Sequence, residues 1–113
     1  KHLILLGHTD CGGIKSAHDL YSNKPNVDYE FINKWLSILL PAFNKITKDV
    51  SKAKQIEQLE EESIKNSLMN LFSFPYIKKA VEDKNLSIHG LIHNIGSGEL
   101  KFLNPITEDF ENL

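Results

Sequence analysis

One succession of residues constrains the fold more than any other: the apolar run Leu3-Ile4-Leu5-Leu6, then Gly7, the polar group His8-Thr9-Asp10-Cys11, and Gly12-Gly13. A short, continuously apolar run reads as a strand of the kind buried on both faces of a parallel sheet. The glycines allow a tight turn after it, and Ile14 to Leu20 carry helix-compatible spacing that ends near Ser22, Asn23 and Pro25. Strand, glycine loop and helix in this order put the polar group at the carboxyl end of a parallel strand, where open α/β sheets usually build their sites.

The remainder of the chain supports an α/β class. Asp28 is placed to cap a second helix through about Leu40, with Phe31, Trp35, Ile38 and Leu39 as one apolar stripe facing a core. Phe43 to Lys54 reads as a weak helix or a connection. From Gln55 to Phe72, Ile56, Leu59, Ile64, Leu68 and Leu71 recur at helical spacing, and the run Glu60-Glu61-Glu62 is expected on a solvated face rather than around a metal. Pro75 opens a short helix, Tyr76 to Glu82. Alternation from Leu86 to His93 gives a strand and Leu100 to Leu103 another, with Asn94-Ile95-Gly96-Ser97-Gly98 between them as a hairpin loop. The tail from Pro105 is expected to be loosely held. The architecture expected is therefore a single domain over residues 1–113, a parallel sheet flanked by helices with a C-terminal β-hairpin.

Composition narrows the function. The chain has 113 residues, with 13 basic against 15 acidic and a net charge of -2, which lacks the positive footprint that a phosphate backbone requires. No nucleic-acid partner is expected. No apolar run approaches the ~18 residues needed to span a bilayer, and no secretory leader is visible. No membrane partner is expected either, and the compartment expected is cytoplasmic. All 13 basic residues are lysine, so no arginine is available for bidentate grip of phosphate or carboxylate.

Three chemistries use a polar turn between a strand and a helix. Gly7 and Gly12 match the opening of a phosphate-binding loop, but Gly13-Ile14 stands where lysine and serine or threonine should follow. A cysteine nucleophile of the phosphatase kind wants arginine six residues after Cys11, where Ala17 stands, although a redox-active thiol stays open. The third is a transition-metal site in which His8 and Cys11, three apart, direct an imidazole nitrogen and a thiolate at one ion. With a single cysteine in the chain, that site is half built. Blander readings stand beside it. Cys11 fits a buried thiol beside an incidental histidine, and Asp10 is expected to point away from any ion. Gly12 and Gly13 suit backbone geometry and close helix packing. His2 and His18 read as surface residues, and His89 and His93 as a partly exposed strand face rather than a metal clamp. Trp35 and the phenylalanines read as core.

His8-x-x-Cys11-Gly12-Gly13-Ile14 after a hydrophobic strand resembles the second half of the zinc site of β-class carbonic anhydrases. Glu62 to Leu71, Pro75, Leu86-Ser87-Ile88-His89-Gly90 and Ile95 to Leu100 are similar to the later helices and closing hairpin of that family. The resemblance implies a zinc cofactor held by two thiolates and one imidazole, with His8 and Cys11 as the metal ligands of this chain and no catalytic residue assigned in it. The family's Cys-x-Asp-Ser-Arg segment has no counterpart here, so the chain is expected to be the C-terminal part of that fold.

The function implied is zinc-dependent reversible hydration of CO2 to bicarbonate, with this chain carrying only part of the zinc site and weak or inactive alone. A non-catalytic metal- or partner-binding module of the same fold, or a thiol redox protein using Cys11, are the alternatives. An exposed sheet edge and an uncovered core imply a homodimer or higher homo-oligomer.

Overall fold

A computed structural model of the chain describes residues 1–23 and 30–113. The Asp28 cap and the Pro25 stop expected from the sequence lie outside the described residues. The chain forms two compact units, Lys1–Thr9 with Ile64–Leu113, and Asp10–Ser63.

The first unit is built on a four-stranded sheet of order β1 (His2–His8), β2 (Ser87–His93), β3 (Leu100–Leu103) and β4 (Phe110–Asn112). β1 and β2 run parallel, in register from His2 opposite Ser87 to His8 opposite His93. The β2–β3 and β3–β4 pairs are antiparallel, so the sheet is mixed, with the expected parallel pair and the expected hairpin joined in it. Leu3, Leu5 and Gly7 are half-buried on one face of β1, and a Cβ on Gly7 would lie 2.8 Å from Ile64 Cδ1. Gly90 of β2 is tighter still, its Cβ position 2.6 Å from Ile64 Cγ2 and 3.2 Å from Leu68 Cδ1. The two glycines thus let Ile64 nest on the sheet. Ile4 and Leu6 on the opposite face are exposed, against the expectation that β1 is buried on both faces. Its own side chains explain this, because alternate residues point to opposite faces and β1 is also an edge strand.

Both hairpins turn on one device. In the β2–β3 loop the Asn94 side-chain oxygen accepts the Gly96 and Ser97 N–H groups, the Gly98 N–H donates to the Asn94 carbonyl at 2.7 Å, and Gly98 has a φ of 78°. In the β3–β4 loop the Asn104 side chain accepts from Ile106, the Glu108 N–H donates to the Asn104 carbonyl at 2.9 Å, and Glu108 has a φ of 61°. The tail expected to be loose is therefore a paired strand. A turn without glycine concealed it, since an asparagine side chain can hold such a loop when a non-glycine residue takes the left-handed position.

The second unit holds α1 (Gly12–Asn23), α2 (Glu30–Leu36), a 3-10 turn at Ser37–Leu39, α3 (Leu40–Phe43) and the start of α4, a helix over Lys52–Phe72 that ends in the first unit. A further helix, α5 (Pro75–Glu82), follows in the first unit. Ile14, Ala42, Phe43, Ile46 and Leu59 form the core of the second unit, with Cys11, Tyr21, Leu39 and Ile56 packed against it.

The expected stripe of the second helix holds only at Leu39, which packs against the core: Phe31 is 83% exposed, Trp35 63%, and Ile38 is exposed as well. The inward row is Leu36, Leu39 and Phe43, at i, i+3 and i+7, and it continues across the 3-10 turn, where Pro41 in the first turn of α3 has no N–H to continue a ladder. Residues 44–51 form the connection. Ser51 closes it, its hydroxyl accepting the Lys54 N–H at 3.2 Å, so α4 begins at Lys52, three residues before the expected Gln55.

His18 corrects a second expectation, being 4% exposed and not on the surface. The Gln55 amide nitrogen donates to the Lys48 and Val50 carbonyls, so its oxygen faces His18 and accepts from Nε2 at 2.8 Å. This half-buried amide ties the connection to α1.

Candidate metal centre

His8 is the last residue of β1 and belongs to the sheet unit, while Cys11 precedes α1 in the helical unit. The strand end is held by Thr9, whose N–H donates to the His93 carbonyl at 2.9 Å and whose hydroxyl accepts the Ile95 N–H at 3.2 Å. His8 Nδ1 lies 2.8 Å from the Thr9 carbonyl. A carbonyl only accepts, so Nδ1 carries the proton and donates it, leaving the lone pair on Nε2. The ring is exposed. An imidazole fixed in this tautomer by a backbone carbonyl is the form in which histidine binds a metal through its other nitrogen.

Cys11 occupies the cap position of α1, with its carbonyl accepting the Lys15 N–H at 3.0 Å. Its side chain is half-buried against the core of its unit. A Cβ on Gly13 would touch both the Cys11 sulfur, at 3.7 Å, and the Trp35 ring, at 3.6 Å, so of the two glycines Gly13 serves close packing. Gly12 faces open space.

Asp10 takes a left-handed conformation with a φ of 56°. Its N–H donates to Glu60 Oε1 at 3.2 Å, and its carboxylate pairs with the Lys15 ammonium. That hydrogen bond, then the charge of Asp10, raises the Lys15 pKa above its ordinary value, with a smaller upward contribution from Glu60 and a downward one from desolvation. Glu60 is 8% exposed, which corrects its expected place on a solvated face. The signal was present in the spacing: Ile56, Glu60 and Ile64 stand at i, i+4 and i+8, one stripe of a helix. The carboxylate's burial is offset by the backbone donor that it accepts.

Among the described residues no group of three or more histidine, cysteine, aspartate or glutamate side chains gathers around one point. His89 and His93 are not brought together as a clamp; His89 instead meets His2, with Nε2 and Nδ1 2.9 Å apart. His8 and Cys11 carry a nitrogen and a sulfur donor, side-chain types that zinc takes. Among the described residues no helix is long and apolar enough to cross a membrane.

Comparison with known proteins bears on these residues directly. A family profile for carbonic anhydrase matches residues 1–100. Beta carbonic anhydrase 3 of Arabidopsis thaliana is 34% identical over 101 residues, which is 87% of this chain and 39% of that protein. The structure of the beta-carbonic anhydrase CcaA superposes on the whole of this chain with a TM-score of 0.80 at 24% identity, and the match takes up 55% of it. Tetrameric beta-carbonic anhydrases from the ascomycete Sordaria macrospora match 92% of this chain and 52% of theirs, with a TM-score of 0.72 and 24% identity. The chain therefore spans about half the length of the solved structures it matches, and less of the plant relative. Over that span, from β1 through the His8–Cys11 turn to the hairpin, sequence and fold agree, and the chain belongs to the β-class carbonic anhydrase family.

Proposed function

We propose that His8 and Cys11 bind zinc in a centre for the reversible hydration of CO2 to bicarbonate. The observation that carries this reading is the His8 hydrogen bond to the Thr9 carbonyl, which presents Nε2 as a donor. Cys11 stands three residues on, at the cap position of α1. Zinc, when bound, supplies the acidification of water on which CO2 hydration near neutral pH depends. The work of this chain is to fix the imidazole tautomer, hold the thiolate and keep Asp10 engaged with Lys15. Zinc takes four ligands, so His8 and Cys11 account for half of the set and the reading assigns the others to groups beyond this pair.

Assembly into a homodimer or larger oligomer belongs to the same proposal. It is supported by exposed Ile4 and Leu6 on an edge strand and by the tetrameric state of the Sordaria relatives.

Zinc content of the purified chain, of Cys11→Ser and of His8→Ala is the test, with CO2 hydration followed by stopped flow alongside. Loss of most bound zinc in both variants is expected. Unchanged zinc in either one removes that residue from the site, and unchanged zinc in Cys11→Ser favours a thiol with redox chemistry. Zinc bound without hydration leaves a non-catalytic metal-binding module.

A further inference from the structure

We propose that His2 and His89 form a second metal site, a two-imidazole seat for a divalent ion of the copper and nickel kind, separate from His8 and Cys11. In the parallel β1–β2 pair His2 stands opposite Ser87 and Ile4 opposite His89, so the two histidines are diagonal neighbours on one face of the sheet. His2 Nδ1 and His89 Nε2 are 2.9 Å apart, with ring centroids at 5.1 Å and planes tilted by 33°. Both side chains are exposed on the chain taken by itself.

A hydrogen bond between two imidazoles needs one nitrogen protonated and the other bare. An ion in place of the shared proton lets both nitrogens act as donors. With metal–nitrogen bonds of about 2.05 Å, two ligands of one ion hold their nitrogens ~2.9 Å apart at right angles and ~3.3 Å apart tetrahedrally, so the hydrogen-bonded pair at 2.9 Å already stands near the span that one ion needs. Imidazole donors suit copper and nickel, which stand high in the general order of divalent-ion affinity. Water completes the coordination, since among the described residues no third histidine, cysteine or carboxylate joins the pair. His8 stands six positions after His2 on the strand, about 20 Å at ~3.3 Å per residue, so the two sites do not share an ion.

Nickel is the probe, because it does not oxidise the thiol. The purified chain, His2→Asn, His89→Asn and a His93→Asn control are titrated with Ni2+ by calorimetry, and the imidazole resonances of the unmutated chain are followed by NMR. The expected result is that His2 and His89 broaden first. Each of their variants should weaken that binding step at least ~10-fold, while His93→Asn leaves it unchanged. The proposal is overturned by absent binding, by an effect in only one of the two variants, or by broadening that begins at any other imidazole. The NMR measurement needs no substitution, so a variant that folds poorly does not protect the idea.

Discussion

The two compact units solve the same problem by different means. In the sheet unit, strand pairing sets the order of side chains and two glycines open a recess into which Ile64 fits. In the helical unit a core drawn from Cys11 to Leu59 and two separate polar contacts, His18 with Gln55 and Glu60 with the Asp10 N–H, position the pieces. One unit is therefore sensitive to added volume and the other to lost volume.

The largest effect that sharpens this contrast is a cavity in the helical core. Leu59→Ala, at a fully buried position, should cost about 2–5 kcal/mol in urea denaturation. A loss below ~1 kcal/mol would show that the helical pieces do not depend on that core.

Next comes excess volume in the sheet unit. Gly90→Ala should cost about 1–3 kcal/mol, because its Cβ would sit 2.6 Å from Ile64 Cγ2, and combining it with Ile64→Ala, which removes that methyl, should cost less than the sum of the two single changes. If the double variant is simply additive, Ile64 is not what fills the recess.

The two hairpin loops give a smaller effect within one unit. Gly98→Ala should cost about 1 kcal/mol, since alanine resists a φ of 78°. Glu108→Gly, at a φ of 61°, should range from neutral to stabilising by ~1 kcal/mol. Thermal melts of both variants decide whether the loops are energetically alike; clear destabilisation by Glu108→Gly would part them.

The smallest effect is an exposed ion pair in the helical unit. Asp10 raises the Lys15 pKa in the folded chain, so its stabilisation is complete below the ordinary value of 10.5 and disappears as pH rises through the raised folded value. Chemical denaturation of Lys15→Gln should differ slightly from the parent at neutral pH and match it in strong alkali. A difference that grows with alkali would reverse the sign and exclude Asp10 as the cause.

The contrast also explains what could be read in advance. β1, α1, α4, α5 and the β2–β3 hairpin follow from runs of one periodicity, and the turn that carries His8 and Cys11 from its place between two such runs, while the proposal of these two as ligands comes from the family resemblance. What escaped reading depends on partners distant in sequence or on an exception to a local rule. Phe31 and Trp35 lie exposed because α2 turns the neighbouring row, Leu36 with Leu39 and Phe43, to the core, a choice between two apolar rows that periodicity alone does not make. His18 is buried because Gln55, far along the chain, supplies its acceptor. β4 was hidden because Glu108 stands where a glycine would have announced the turn. Glu60 could have been read from its stripe, but its charge outweighed its position.

The parallel pairing of β1 with β2 carries a kinetic consequence. Every helix lies between these strands, and each rung of that ladder, from His2 with Ser87 to His8 with His93, joins residues 85 positions apart. Closing so long a loop loses chain entropy that local contacts do not return. Refolding should therefore show the C-terminal hairpin strands protected from hydrogen exchange early, and β1 last.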